Sequence, residues 1–317
     1  IPTDFDIVPG GQQAKALSYI NNIELDHKEL YSVIEEVVGK FCLLWDRVLT
    51  DVYPGNGGMI YRITGSYEWN ADPAGPEPEW RNKRDPSYAA WKEWRNKREL
   101  VLPSVPEQGY TEDISHREIH YKIQGKKVQV IVNPSYPGGS WHAEGMASER
   151  IVASGIYCYD SENLTDGHLA LRMAASGVNY PHRHQAWKGI EKVWGLNSES
   201  RANQVIGTAK TTPKRCIAFP NIYQYCVSPF ALADPNKPGY RKIMTLFLVD
   251  PEQHIPSTSD IMIPPQQMHW AQVAMATSET SSAFSLLPAE LHQMVAASTD
   301  GLISEAEAKD YRLKLMD

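Results

Sequence analysis

Apolar and polar positions along this 317-residue chain follow two rhythms, helical near both ends and strand-like between them. Asp26-His27-Lys28-Glu29 sets an acidic N-cap with a glutamate three residues on, and Leu30, Ile34, Val37, Phe41, Leu44 and Val48 follow at helical spacing. That start and that period predict a helix of about six turns. From Tyr53 to Pro106 the chain is rich in Pro, Gly and Trp, which predicts short ordered pieces joined by irregular backbone that wraps a core. Past Ser115 the period falls to two, in Glu118–Ile123, Val128–Val132, Ile151–Tyr159, Ala218-Phe219 and Lys242–Val249, with turn formers such as Asn133-Pro134 and Pro235–Gly239 between them. A helical interlude is expected over Gln185–Trp194, and the tail from Pro288 returns to helical character.

Many short strands without long helices between them predict a mainly β fold with helical additions, an antiparallel sandwich or jelly roll. The expected organisation is a single domain: a helical and irregular N-terminal wrap over 1–114, a β core over 115–270 with an insertion near 165–205, and a helical tail over 271–317.

Charge and composition remove several classes of function. A net charge of −7 argues against nucleic-acid binding, which needs concentrated positive charge. Two basic Glu-Trp-Arg-Asn-Lys-Arg hexamers, starting at Glu79 and Glu93, read as a local duplication on a solvated surface, with a break at Pro86 between them. Apolar stretches such as Ile243–Val249 are far too short to span a bilayer, so no membrane partner is expected. Ile1–Asp6 shows neither the basic start nor the apolar core of a signal peptide, which makes a cytoplasmic location the default. Cys42, Cys158, Cys216 and Cys226 lack the spacing of zinc ribbons or thiol redox motifs and are expected to be reduced.

The chemistry concentrates at Trp141-His142-Ala143-Glu144. On an extended backbone the imidazole and the carboxylate leave the same face, about 7 Å apart along the strand. Two legs of a facial iron triad have this spacing, and so does an ordinary strand-end pair bonded to backbone or water. Downstream, Arg241 opens a strongly apolar strand, where a guanidinium fork can clamp the distal carboxylate of a keto acid.

Several ordered stretches resemble a largely fungal family designated domain of unknown function 4246. They are Tyr136–Met146, Ile151–Leu164, Ile217–Gln224, Lys237–Ile243, Phe247–Pro251 and Pro264–Gln267, and the resemblance runs from about Tyr31 to Ala271. The family in turn resembles iron and 2-oxoglutarate dependent oxygenases of the double-stranded β-helix (cupin-like jelly roll) fold. Carried over, His142 and Glu144 become the first two metal ligands and Arg241 the keto-acid clamp. The cofactors implied are Fe(II) and 2-oxoglutarate, the activity is that of a dioxygenase on a small molecule, and the setting is fungal secondary metabolism. The pocket wall is expected to include Trp141, Tyr157, Tyr159 and Tyr223, with Tyr157 joining Arg241 at the cofactor.

This chain departs from the family pattern where the third ligand belongs. The histidine expected after Gln224 is Tyr225, the one before Arg241 is Tyr240, and the segment between Val132 and Tyr136 is shortened. A Tyr225 phenolate could ligate the metal, His168, His182 or His184 could replace it, or the site could bind iron with two protein ligands or not at all. Redox-neutral chemistry (an isomerase, lyase or cyclase) and non-catalytic ligand binding on the same fold are the alternatives.

Overall fold

The computed structural model describes residues 1–10, 13–23, 26–52, 70–71, 76–97, 99–100, 118–133, 139–174, 199–201, 203–260 and 304–316, with isolated positions elsewhere. In chain order the elements are β1 (Thr3–Ile7), β2 (Ala14–Ala16), α1 (Lys28–Val52), β3 (Asn70–Ala71), α2 (Ser87–Asn96) and β4 (Glu99–Leu100). There follow β5 (Lys127–Asn133), β6 (Ile151–Glu162), β7 (His168–Ala174), β8 (Asn203–Lys210), β9 (Arg215–Pro220), β10 (Tyr223–Val227), β11 (Tyr240–Val249) and α3 (Glu305–Met316). Among the described residues the chain is mainly β, with β1–β2, β1–β5, β6–β9, β7–β8 and β7–β10 paired antiparallel, and few helices. No helix of the described residues is long and apolar enough to cross a membrane.

Two compact units divide the chain, one made of 1–43, 123–133 and 246–317, the other of 44–122 and 134–245. In the first, β1 lies between β2 and β5, with Phe5 opposite Ala16 on one side and Val128 on the other. Phe5, Ile7, Val128 and Val130 are fully buried or nearly so, as are Ile34, Val38 and Phe41 of α1. Removing side chains of this size from water stabilises the fold by about 1.5–3 kcal/mol each. Gln129 fastens the chain after β11, donating to the Ile255 carbonyl (2.8 Å) and accepting from its N–H (3.0 Å).

The second unit carries the elements that matter for chemistry. β6 pairs with β9, Ile156 facing Ile217, while β7 lies between β10 and β8, with Leu171 facing Tyr225. Strand alternation turns Ile156, Leu169, Phe219, Tyr225 and Val227 into one apolar cluster, against which Leu171, Ile217, Tyr223 and Ile243 pack. Asn163, at φ 51°, pins the loop between β10 and β11. Its amide oxygen accepts from Asp234 N–H (2.8 Å), and its Nδ2 donates to the carbonyls of Asp234 (3.0 Å), Lys237 (2.8 Å) and Pro238 (3.2 Å).

The structure revises several expectations. α1 opens at Lys28 rather than directly after Asp26, and its buried stripe is Ile34, Val38, Phe41, Trp45 and Leu49, while Leu30 is exposed. Residues 118–123 form no strand. The Tyr121 N–H instead donates to Thr50 Oγ1 (3.1 Å) on α1, so a helix side chain takes the place of a neighbouring strand. The stretch expected as an insertion holds β7 and the first residues of β8. Most of Gln185–Trp194 lies outside the described residues. Pro86 does separate the hexamers: α2 begins at Ser87 and takes up most of the second copy.

Asn163→Ala would remove four hydrogen bonds from one loop and is expected to lower unfolding free energy by about 1–3 kcal/mol, measured by urea denaturation. Faster proteolytic nicking between 228 and 239 should accompany that loss.

Candidate functional site

His142 is held by backbone before its side chain does anything. Its N–H donates to the Tyr225 carbonyl (3.2 Å) and its carbonyl accepts from the Tyr225 N–H (2.9 Å), an isolated antiparallel bridge at the edge of β10. Paired residues of an antiparallel ladder project to the same face, and the two rings stand with centroids 4.5 Å apart. Glu144, two residues on, returns to that face, and its Oε1 lies 3.5 Å from His142 Nε2. The Tyr225 hydroxyl donates a very short hydrogen bond to the same Oε1. Imidazole, carboxylate and phenol thus converge on one point.

Backbone and burial shape this cluster. His142 Nδ1 is 2.7 Å from the Ser140 carbonyl, an acceptor only, so Nδ1 carries a proton there while Nε2 faces Glu144. Tyr225 is 1% exposed and packs edge-on against Phe219 at 5.2 Å. Burial raises the Glu144 carboxyl above the usual carboxylate range; the His142 imidazole opposes the shift and the Glu149 carboxylate adds to it. An imidazole nitrogen with its tautomer fixed by a second hydrogen bond, together with a carboxylate and a phenol oxygen, is a donor set suited to a first-row transition metal. Among the described residues, no group of three or more His, Cys, Asp or Glu could hold a metal ion.

Arg241 occupies the same apolar interior. It precedes Ile243 by two residues on β11, and Ile243 packs on the Tyr225 cluster. Its guanidinium carbon lies 4.6 Å over the Phe230 ring. Gly167 lies against the guanidinium: a Cβ there would collide with Nη1 and Nη2. Nε and Nη1 are buried and have no hydrogen-bond partner among the described residues. Buried donors are normally paired, so orphaned N–H groups on this cation fit an acceptor supplied by a ligand, such as a carboxylate.

Other expected site residues are placed differently. Tyr157 and Tyr159 lie together, centroids 6.1 Å apart, on the face of β6 opposite Ile156, because strand alternation sends them away from the cluster. On the Ile156 face of β6, burial pushes the Cys158 thiol up, against the charge of Arg241. Trp141 stacks on the Arg172 guanidinium at 4.4 Å, while Tyr223 packs on the cluster. His168 shares with Ala170 the face of β7 opposite Leu169, away from Tyr225. His182 and His184 lie outside the described residues. Tyr240 is bonded to Asp160 and Glu162 at the surface, which pushes its hydroxyl pKa up to about 12. One residue was not singled out in the sequence: Asn221, whose side chain holds the Glu144 backbone. Its only sequence signal was its place in a turn after Pro220.

Fold and site together describe a mainly β protein with a convergent imidazole, carboxylate and phenol, and an arginine with two buried N–H groups that have no partner among the described residues. The family model described as "Protein of unknown function (DUF4246)" matches residues 1–274, and the chain belongs to that family. No curated protein matches it. Among solved structures, the chain is similar to hydroquinone 1,2-dioxygenase PnpCD, in a complex with Cd2+ and 4-hydroxybenzonitrile, at 10% identity and a TM-score of 0.20. The match covers 39% of this chain and 58% of that one; agreement this slight carries no argument about function.

Glu144→Gln tests the electrostatic account. A carboxyl whose folded-state pKa is raised contributes stability below its unfolded pKa and loses it as pH rises through the folded value. The metal-free glutamine variant should therefore melt above wild type at pH 7, with the gap closing as pH falls to about 4, where both side chains are neutral. A gap that widens toward acid would contradict a raised Glu144.

Proposed function

We propose that this chain is a non-haem iron and 2-oxoglutarate dependent oxygenase acting on a small molecule, with a double-stranded β-helix core. The observation that carries the reading is Arg241: a guanidinium whose buried Nε and Nη1 have no hydrogen-bond partner among the described residues, lying against Gly167 and Phe230. A keto-acid carboxylate would give this cation an acceptor. His142 Nε2, Glu144 and the Tyr225 oxygen would hold the iron. When bound, the iron with the keto acid supplies oxidation by O2, releasing succinate and CO2.

The protein's own groups prepare that chemistry. The Ser140 carbonyl keeps the proton on His142 Nδ1 and leaves Nε2 open. The Tyr225 proton rests on Glu144 Oε1, so a cation entering the cluster competes with that proton for the same oxygen. Apolar walls from Leu169, Leu171 and Phe219 exclude water around the phenol and strengthen each electrostatic contact.

The Tyr225 to Glu144 hydrogen bond also favours a second reading, a redox-neutral isomerase, lyase or cyclase. A carboxyl with a raised pKa, a phenol and an imidazole of fixed tautomer form an acid–base set that moves protons without a metal.

Anaerobic loading with Fe(II), then O2, ascorbate and 2-oxoglutarate, should release succinate even without a prime substrate. Arg241→Leu should raise the KM for 2-oxoglutarate at least about tenfold, the loss of a charge-assisted pair worth about 1.5–3 kcal/mol. Chelator treatment should abolish turnover; substrate conversion that survives complete metal removal would establish the redox-neutral reading instead.

A further inference from the structure

Glu144 sits where strand pairing has stopped. The bridge between His142 and Tyr225 is isolated, so the ladder that orients His142 does not extend two residues further to orient Glu144. Directly after it, Gly145 turns the chain at φ 69° with no room for a Cβ, which would meet the Ile151 side chain at 2.6 Å.

The Asn221 side chain supplies the missing neighbour. Its Oδ1 accepts from the Glu144 N–H (3.0 Å), and its Nδ2 donates to the Glu144 carbonyl (2.8 Å), the reciprocal pair that a strand residue would have offered. Nδ2 also donates to the Ile151 carbonyl (3.1 Å), and the Asn221 N–H donates to the Val152 carbonyl (2.9 Å). Asn221 stands in the turn from β9 to β10, four residues before Tyr225. One amide therefore ties the Glu144 backbone to the first residues of β6 and to the strand that carries the phenol.

We propose that Asn221 is a positioning residue that sets where the Glu144 carboxylate stands relative to His142 and Tyr225. The inference rests on reading those three side chains as the metal-binding site. Asparagine is the side chain that fits, because the position needs one acceptor and two donors. Aspartate keeps the acceptor but turns a carboxylate toward two carbonyls. Alanine leaves the Glu144 N–H and carbonyl without partners, and the carboxylate above them free to swing.

Two measurements on the full chain test this. Amide exchange of the metal-free protein is followed at Glu144, with Leu169 and Leu246 as reporters of the intact fold, and Co(II) is titrated into chelator-treated protein by its visible absorption. In Asn221→Ala, which removes the acceptor, and in Asn221→Asp, where repulsion from the Glu144 and Ile151 carbonyls pushes the segment off it, exchange at Glu144 should rise at least tenfold while Leu169 and Leu246 stay protected, and Co(II) affinity should fall at least tenfold. The aspartate variant, of nearly the same shape, serves if the alanine variant does not fold. A Glu144 amide that stays protected in both variants would overturn the proposal, as would unchanged Co(II) affinity beside fast Glu144 exchange. If wild type takes up no Co(II), the metal reading of the site fails, and the exchange at Glu144 alone decides whether Asn221 positions it.

Discussion

Two reciprocal backbone hydrogen bonds between His142 and Tyr225 are what the candidate site depends on. They join a short irregular segment to the edge of β10, and strand geometry then does the rest: paired residues face the same way, and so does the residue two positions on. Imidazole, phenol and carboxylate meet because of that pairing, although 81 residues separate Glu144 from Tyr225 in the chain. Beyond the bridge, the Ser140 backbone carbonyl holds His142 Nδ1, and the Asn221 side chain holds the Glu144 backbone.

The site also holds two groups that destabilise a folded chain when left alone. Among the described residues Arg241 keeps two buried N–H groups without acceptors, and burial raises the Glu144 carboxyl despite the imidazole beside it. Around Asn163, in the same unit, polar groups are paired closely. Groups left short of partners are where a ligand can supply what is missing. Tyr225 is as buried as a core residue, yet its hydroxyl donates to the Glu144 carboxylate.

Segments with strong local rhythm were legible in the sequence. α1 showed a helical period, and β5, β6, β9 and β11 showed runs of β-branched or alternating residues. β7, β8 and β10 did not: His168-Leu-Ala-Leu-Arg-Met reads equally as helix, and Tyr223–Val227 is too short to show a period. Tyr121 was misread as a strand residue because its partner, Thr50, is a side chain on a helix about 70 residues earlier, which no local pattern reveals. Tyr157 was expected at the cofactor with Arg241, and the alternation of β6 puts it beside Tyr159 on the face opposite Ile156. His142, Glu144 and Arg241 were visible because their residue types are rare in apolar strands. Asn221 was not, because its role is to bond backbone, and asparagine in a turn is common for other reasons.

Membership of the DUF4246 family brings no assigned activity, so the chemistry rests on these side chains. The most direct test is a crystal structure of the anaerobically prepared protein with Fe(II) and 2-oxoglutarate. The account predicts metal bound to His142 Nε2, Glu144 and the Tyr225 oxygen, and a keto-acid carboxylate on the Arg241 guanidinium. A structure in which Tyr225 still donates to Glu144, with no metal between them and Arg241 still unpaired, would contradict it.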